Sequence, residues 1–136
     1  MTHHVTHASV SAWLERYMRA WETYDPELIG DLFTEDAEYR WHPWDEPEVG
    51  REAIVHAWLN PGGSQSSRDK PGTFAGELEP FVGNGNRAVA VGTCTYWTDA
   101  TRSLVDRIYY NNWLLEFAED GKCSSFVEYY MKPPKS

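Results

Sequence analysis

Positive charge is scarce in this sequence: 12 Lys and Arg stand against 21 Asp and Glu, for a formal net charge of -9. No basic stripe exists along the chain, and a polyanion would be repelled rather than drawn in, so nucleic-acid binding is not expected. Long apolar runs are missing too. No stretch approaches the roughly 18 apolar residues that a membrane-spanning helix needs, so no membrane partner is expected. The opening MTHHVTHASV has neither the basic nor the apolar region of a signal peptide, and a cytoplasmic location is the expectation. Cysteine is limited to Cys94 and Cys123, in strand-like surroundings and without a CxxC spacing, which argues against a zinc site or a disulfide framework and leaves two reduced structural thiols. His3, His4 and His7 sit in a polar stretch, residues 1–8, that reads as a flexible tail rather than a metal site. Neither a metal nor any other cofactor is expected.

Aromatic rings, by contrast, are plentiful. Seven Trp, eight Tyr and five Phe make up 15% of the chain while the hydrophobic total is an ordinary 41%, so the interior must be built largely from rings. Rings with polar tips line pockets as well as cores. A chain of 136 residues suits one domain, here residues 9–132, followed by a short tail at 133–136.

Val10, Trp13, Leu14, Tyr17, Trp21 and Tyr24 recur at helical spacing, which predicts a first helix over 9–24 with Ser9 or Ser11 as its cap. Asp25-Pro26 reads as a cap followed by proline at the first helical position, and the short helix it opens should end at the polar turn Thr34-Glu35-Asp36. Glu38 to His42 predicts a first strand closed off by Pro43 and Pro47. Gly50 precedes a third helix, on which His56 falls opposite the apolar face. The Gly-, Ser- and Pro-rich segment 60–73 predicts a loop able to serve as a lid. From residue 74 the period becomes two, predicting antiparallel strands over 74–81, 88–97, 104–117 and 124–131. Helices followed by a run of strands make an α+β domain whose sheet must curl around the helices, forming a cone with a cavity.

The order Tyr17, Trp21, Asp25, Ile29, Leu32-Phe33, Asp36-Ala37, Pro47 and Gly50-Arg51-Glu52-Ala53-Ile54, the turn Phe117-Ala118-Glu119-Asp120-Gly121 and the ending Glu128-Tyr129-Tyr130 closely resemble the nuclear transport factor 2-like superfamily, SnoaL-like branch. The likeness runs from Val10 to Met131 and implies the cone-shaped fold, with N-terminal helices packed on a strongly curved antiparallel sheet. It implies less about chemistry, because that superfamily holds isomerases, cyclases, dehydratases, hydrolases and non-catalytic binding domains. The oxyanion-donating tyrosine of its ketosteroid isomerases lands on Tyr17. Their catalytic aspartate lands on Trp41, or on His42 with a one-residue slip, and their second, protonated aspartate lands on Trp113. Ketosteroid isomerisation needs carboxyl groups at those places and is disfavoured.

In the cyclase and epoxide hydrolase branches the essential acid sits on the last strands, where this chain has Glu128 in phase with Phe126 and Tyr130. Arg107, Tyr109, Asn111 and Trp113 share one face of the neighbouring strand, so an Arg, a Tyr, an Asn and a Glu should converge on one cavity, while Asp106 points away. Glu128 is thus the candidate acid or base, with Tyr17 and Asn111 polarising a ligand oxygen. Against this stands a structural ion pair of Glu128 with Arg107 or Arg40. Trp21, Tyr39, Trp41, His42, Arg107, Tyr109, Trp113, Phe126 and Tyr130 are the candidate contacts to a small hydrophobic or aromatic ligand, with a ring-rich core as the competing account. The opposite sheet face, with Ile108, Tyr110, Leu114, Val127 and Tyr129, is also apolar, and a homodimer across it would cover it. The competing function is a non-catalytic ligand-binding or dimerisation domain with the same pocket.

Overall fold

A computed structural model describes residues 4–60 and 72–134. Helix α1, His7–Thr23, begins two residues before the expected start because Thr6 caps it. The Ser9 amide donates to the Thr6 hydroxyl at 3.0 Å, and the Thr6 amide donates to the Ser9 hydroxyl at 2.9 Å. This reciprocal arrangement satisfies amides that a bare helix start leaves unpaired. Before the helix, the Val5 amide donates to the Gly85 carbonyl at 2.8 Å. Val10, Trp13, Leu14, Tyr17 and Ala20 form the buried stripe, and the helix stops where Tyr24 turns left-handed.

Helix α2, Pro26–Asp31, starts as expected, with the Asp25 carboxylate accepting the Glu27 amide at 2.9 Å. Thr34-Glu35-Asp36, expected as a turn, instead lies inside strand β1, Phe33–Arg40, which stops before His42. The cause is an irregularity: β1 pairs in parallel with the last strand at Phe33 and again from Glu38, and the polar residues occupy the displaced stretch between. A two-residue strand β2, Glu48–Val49, pairs with β1 and is too short to leave a periodic signal. Helix α3, Arg51–Leu59, follows Gly50, whose φ of 96° lies in the region glycine adopts at little cost. The expected lid over 60–73 lies, from 61 to 71, outside the described residues.

Strands β3, Phe74–Asn84, β4, Arg87–Trp97, and β6, Cys123–Met131, run on by up to three residues beyond the expected limits, while β5, Val105–Phe117, starts one residue later than expected. The six strands form one sheet in the order β2-β1-β6-β5-β4-β3, antiparallel throughout except for β1 with β6. The result is the α+β cone: three helices packed against an open, curved, mostly antiparallel sheet. Its closed end is a ring-built core around the fully buried Trp13, which meets Tyr17, Phe33, Phe117 and Phe126 and donates its indole N–H to the Leu32 carbonyl at 3.0 Å.

Candidate functional site

Beyond that core the cone opens into a cavity of about 780 Å³, within the range of small-molecule sites. Strand alternation supplies its floor. Trp113 on β5 lies directly opposite Glu128 on β6, and Asn111 opposite Tyr130, so these side chains rise from the same concave face. The Asn111 amide N–H and the Trp113 indole N–H, the latter at 2.8 Å, both donate to Oε2 of Glu128. Burial raises the pKa of this carboxyl, against the opposing pull of those two hydrogen bonds and of His42. The ion pair with Arg40 is not formed: Arg40 lies 3.5 Å from Glu38 and donates to the Asp45 carbonyl. Arg107 turns to Asp106 at 2.5 Å, to the Tyr109 hydroxyl at 3.1 Å and to the face of Tyr96 at 3.9 Å.

One wall comes from α1 and α3. Tyr17, Trp21 and Trp58 line the cavity, and the Tyr17 hydroxyl is 3.1 Å from that of Tyr39. Burial holds both phenols far above their ordinary pKa, so both remain neutral. Tyr39 itself does not reach the cavity, and neither does Phe126; their rings stack 4.3 Å apart behind the lining and are fully buried. They were expected as ligand contacts. Both point inward as the alternation requires, but α1 covers that part of the sheet, so they form the layer that backs Tyr17.

Trp41, His42, Tyr109 and Tyr130, with Arg107, complete the expected set around the cavity. Trp41 and Trp113 line it without filling it. The His42 imidazole lies 2.9 Å from an Asp45 carboxylate oxygen through Nδ1 and 3.1 Å from the Tyr130 hydroxyl through Nε2. His56 is exposed, as expected from its helix face, yet stands at the cavity edge.

Several lining residues escaped the sequence reading. Cys94 and Tyr96 share the inward phase of Ala88 and Ala90 on β4, so period-two counting could have found them. Asp45 is reached through a turn in which its amide donates to the His42 carbonyl at 3.1 Å, and the spacing His42-Pro43-Trp44-Asp45 was the available signal. Both thiols are buried and free, with Cys123 pushed up to about 12 and Cys94 higher still by burial. Among the described residues no cluster of His, Cys, Asp or Glu suits a metal ion, and no helix is long and apolar enough to cross a membrane. Three buried polar atoms lack a partner there: the indole nitrogens of Trp21 and Trp58 and Oδ1 of Asn111. All three belong to cavity-lining residues.

Comparison with known proteins agrees with this architecture. A model of the SnoaL-like domain matches residues 14–126. A nuclear transport factor 2-like protein of unknown function from Burkholderia xenovorans LB400 superposes with a TM-score of 0.66 at 19% identity, over 95% of this chain and 88% of the other. A ketosteroid isomerase-like protein from Erwinia carotovora atroseptica SCRI1043 gives 0.64 at 17%, over 93% and 97%. The epoxide hydrolase/cyclase-like enzyme SalBIII, of pyran ring formation in the polyether salinomycin, gives 0.64 at 15%, over 89% of each chain. No curated protein matches the sequence.

Proposed function

The chain belongs to the SnoaL-like domain family, and from that premise we propose that it is a cofactor-independent enzyme performing acid/base chemistry on a small hydrophobic or aromatic molecule. The observation that carries this reading is a single buried carboxyl, Glu128, at the floor of an open cavity lined by rings, gripped on one oxygen by Asn111 and Trp113. Because Oε2 accepts both donors, Oε1 is the oxygen that exchanges a proton with the ligand. A desolvated carboxyl is suited to proton transfer nearer neutrality than an exposed one.

The tyrosine pair supplies the complementary group. Two hydroxyls facing each other spend one proton on their mutual bond and keep the other. With Tyr39 sealed behind the lining, the coherent arrangement has Tyr39 donating to Tyr17, which leaves the Tyr17 proton for a ligand oxygen. Glu128 then takes a proton from the carbon beside a carbonyl, the C–H electron pair moves into the enolate, and Tyr17 stabilises the enolate oxygen. The free thiols fit a reducing compartment, and a cytoplasmic location is part of the proposal.

The test uses 2-tetralone, a bicyclic ketone of suitable size, in D2O. Protein-dependent deuterium exchange at its α-carbon, read by NMR, is the expected result. Occupancy of the cavity with exchange no faster than buffer gives would overturn the enzyme reading and leave a binding domain.

The outer face of β5 and β6 supports a second part of the proposal, a homodimer. Tyr110, Leu114, Tyr129 and Met131 are 52%, 40%, 43% and 74% exposed, and they sit on cross-strand positions that merge into one apolar patch. Light scattering is expected to give twice 15.7 kDa for the native chain and 15.7 kDa for a Leu114→Asp, Tyr129→Asp double variant. A native monomer would rule the dimer out.

A further inference from the structure

The mouth of the cavity carries a hydrogen-bonded chain that the floor chemistry does not use. Asp45 Oδ2 lies 2.9 Å from His42 Nδ1, and His42 Nε2 lies 3.1 Å from the Tyr130 hydroxyl; all three residues line the cavity. A carboxylate only accepts, so Nδ1 carries a proton, and in the neutral imidazole Nε2 then presents its lone pair. The Tyr130 O–H therefore donates inward to Nε2, and its oxygen keeps lone pairs for another donor. We propose that Asp45, His42 and Tyr130 form a second proton-transfer site, which takes the proton of a ligand hydroxyl at the cavity mouth while Glu128 acts at the floor. This rests on the reading of the cavity as a ligand site.

Five features hold the chain in place. The turn that returns Asp45 to His42 is closed by a backbone hydrogen bond of 3.1 Å, and the Arg40 side chain donates to the Asp45 carbonyl at 3.3 Å. Pro43 fixes φ at the second position of that turn. The Trp44 indole stacks on the imidazole with centroids 4.9 Å apart and planes at 12°, opposing ring rotation. The Tyr130 ring meets Tyr109 edge-on at 4.9 Å. Burial, and then the fields of Tyr109, Glu128 and Asp45, raise the pKa of Tyr130, so it serves as a neutral relay and not as a resting phenolate.

The step balances without any further reagent. The ligand O–H bond breaks and its proton joins the Tyr130 oxygen as the Tyr130 proton passes to His42 Nε2. The products are a ligand alkoxide or phenolate and an imidazolium facing the Asp45 carboxylate; the reverse transfer restores the chain. Tyr130 and Glu128 are two residues apart on one face of β6, a separation of about 7 Å along the strand. The ligand class is therefore a ring compound that carries a hydroxyl in addition to the carbon on which Glu128 acts.

Two measurements test this. On the unliganded protein, long-range ¹H–¹⁵N NMR should show Nδ1 of His42 protonated and Nε2 bare; an Nε2–H tautomer overturns the proposal. With 4-nitrophenol as probe, equilibrium dialysis reads occupancy and visible absorbance reads the phenolate fraction. Wild type is expected to bind the dye and increase its phenolate fraction, and Tyr130→Phe and His42→Gln to lose that increase while keeping their circular dichroism. Equal phenolate in bound wild type and both variants overturns the relay and leaves Glu128 untouched. Failure of wild type to bind the dye while 2-tetralone exchange persists likewise overturns it and leaves the floor reading standing.

Discussion

Gly92→Ala is expected to lower stability by about 3 kcal/mol or more, a loss of roughly 10 °C in Tm for a domain of this size. A Cβ on Gly92 would lie 1.8 Å from the Glu77 carbonyl oxygen and 2.7 Å from the Leu78 Cα, which are backbone atoms of the paired strand β3 and cannot swing aside as a side chain would. The penalty falls on the feature that makes the site. Gly92 pairs with Leu78 on one side and Asn111 on the other. It also divides the part of β4 that closes the core, at Ala88 and Ala90, from the part that lines the cavity, at Cys94 and Tyr96. Close approach of β3 and β4 at that residue belongs to the curl of the sheet, so a variant that does fold should also bind 2-tetralone less well. Calorimetry within about 2 °C of wild type would show that the contact yields more easily than a packed interior does.

How much of this was legible depends on what kind of signal each feature leaves. The helices and the four long strands were readable because periods of 3.6 and 2 persist over many residues, and the phase of Phe126, Glu128 and Tyr130 against Asn111 and Trp113 followed from the same counting. The start of strand β1 was misjudged because its irregular pairing with β6 breaks the alternation where Glu35 and Asp36 are exposed and Thr34 is half-buried. Alternation also names an inward side without saying what covers it. Phe126 and Glu128 both point inward on β6, yet the helix seals one and leaves the other at the cavity. Asp45 was missed for a different reason: its side chain reaches His42 through a turn, where no period exists and only the proline spacing hints at a return of the chain. The partners of Glu128 needed cross-strand register, which hairpin length sets and composition does not.

Glu128→Gln is the other large expectation, and it separates activity from stability. Loss of the exchanging oxygen should slow 2-tetralone exchange by about 10²- to 10⁴-fold, the usual contribution of a positioned acid or base. Stability should move the opposite way. Burial raises the carboxyl's pKa in the fold above its ordinary 4.5, so the native state favours the neutral form. Its contribution to stability is full below the ordinary value and is lost as pH rises through the raised folded value, because the ionised carboxyl is less well accommodated than in the unfolded chain. Glutamine is neutral at every pH and keeps a carbonyl oxygen for Asn111 and Trp113. The Tm of the variant should therefore match wild type in acid and exceed it at neutral pH and above, by roughly 3 °C per kcal/mol of relieved burial. Calorimetry at pH 4 and pH 8 decides the matter. A variant that is inactive and also less stable at pH 8 would mean that ionised Glu128 is a structural anchor for the Asn111 and Trp113 donors, and the proposal of a poised acid would fall with it.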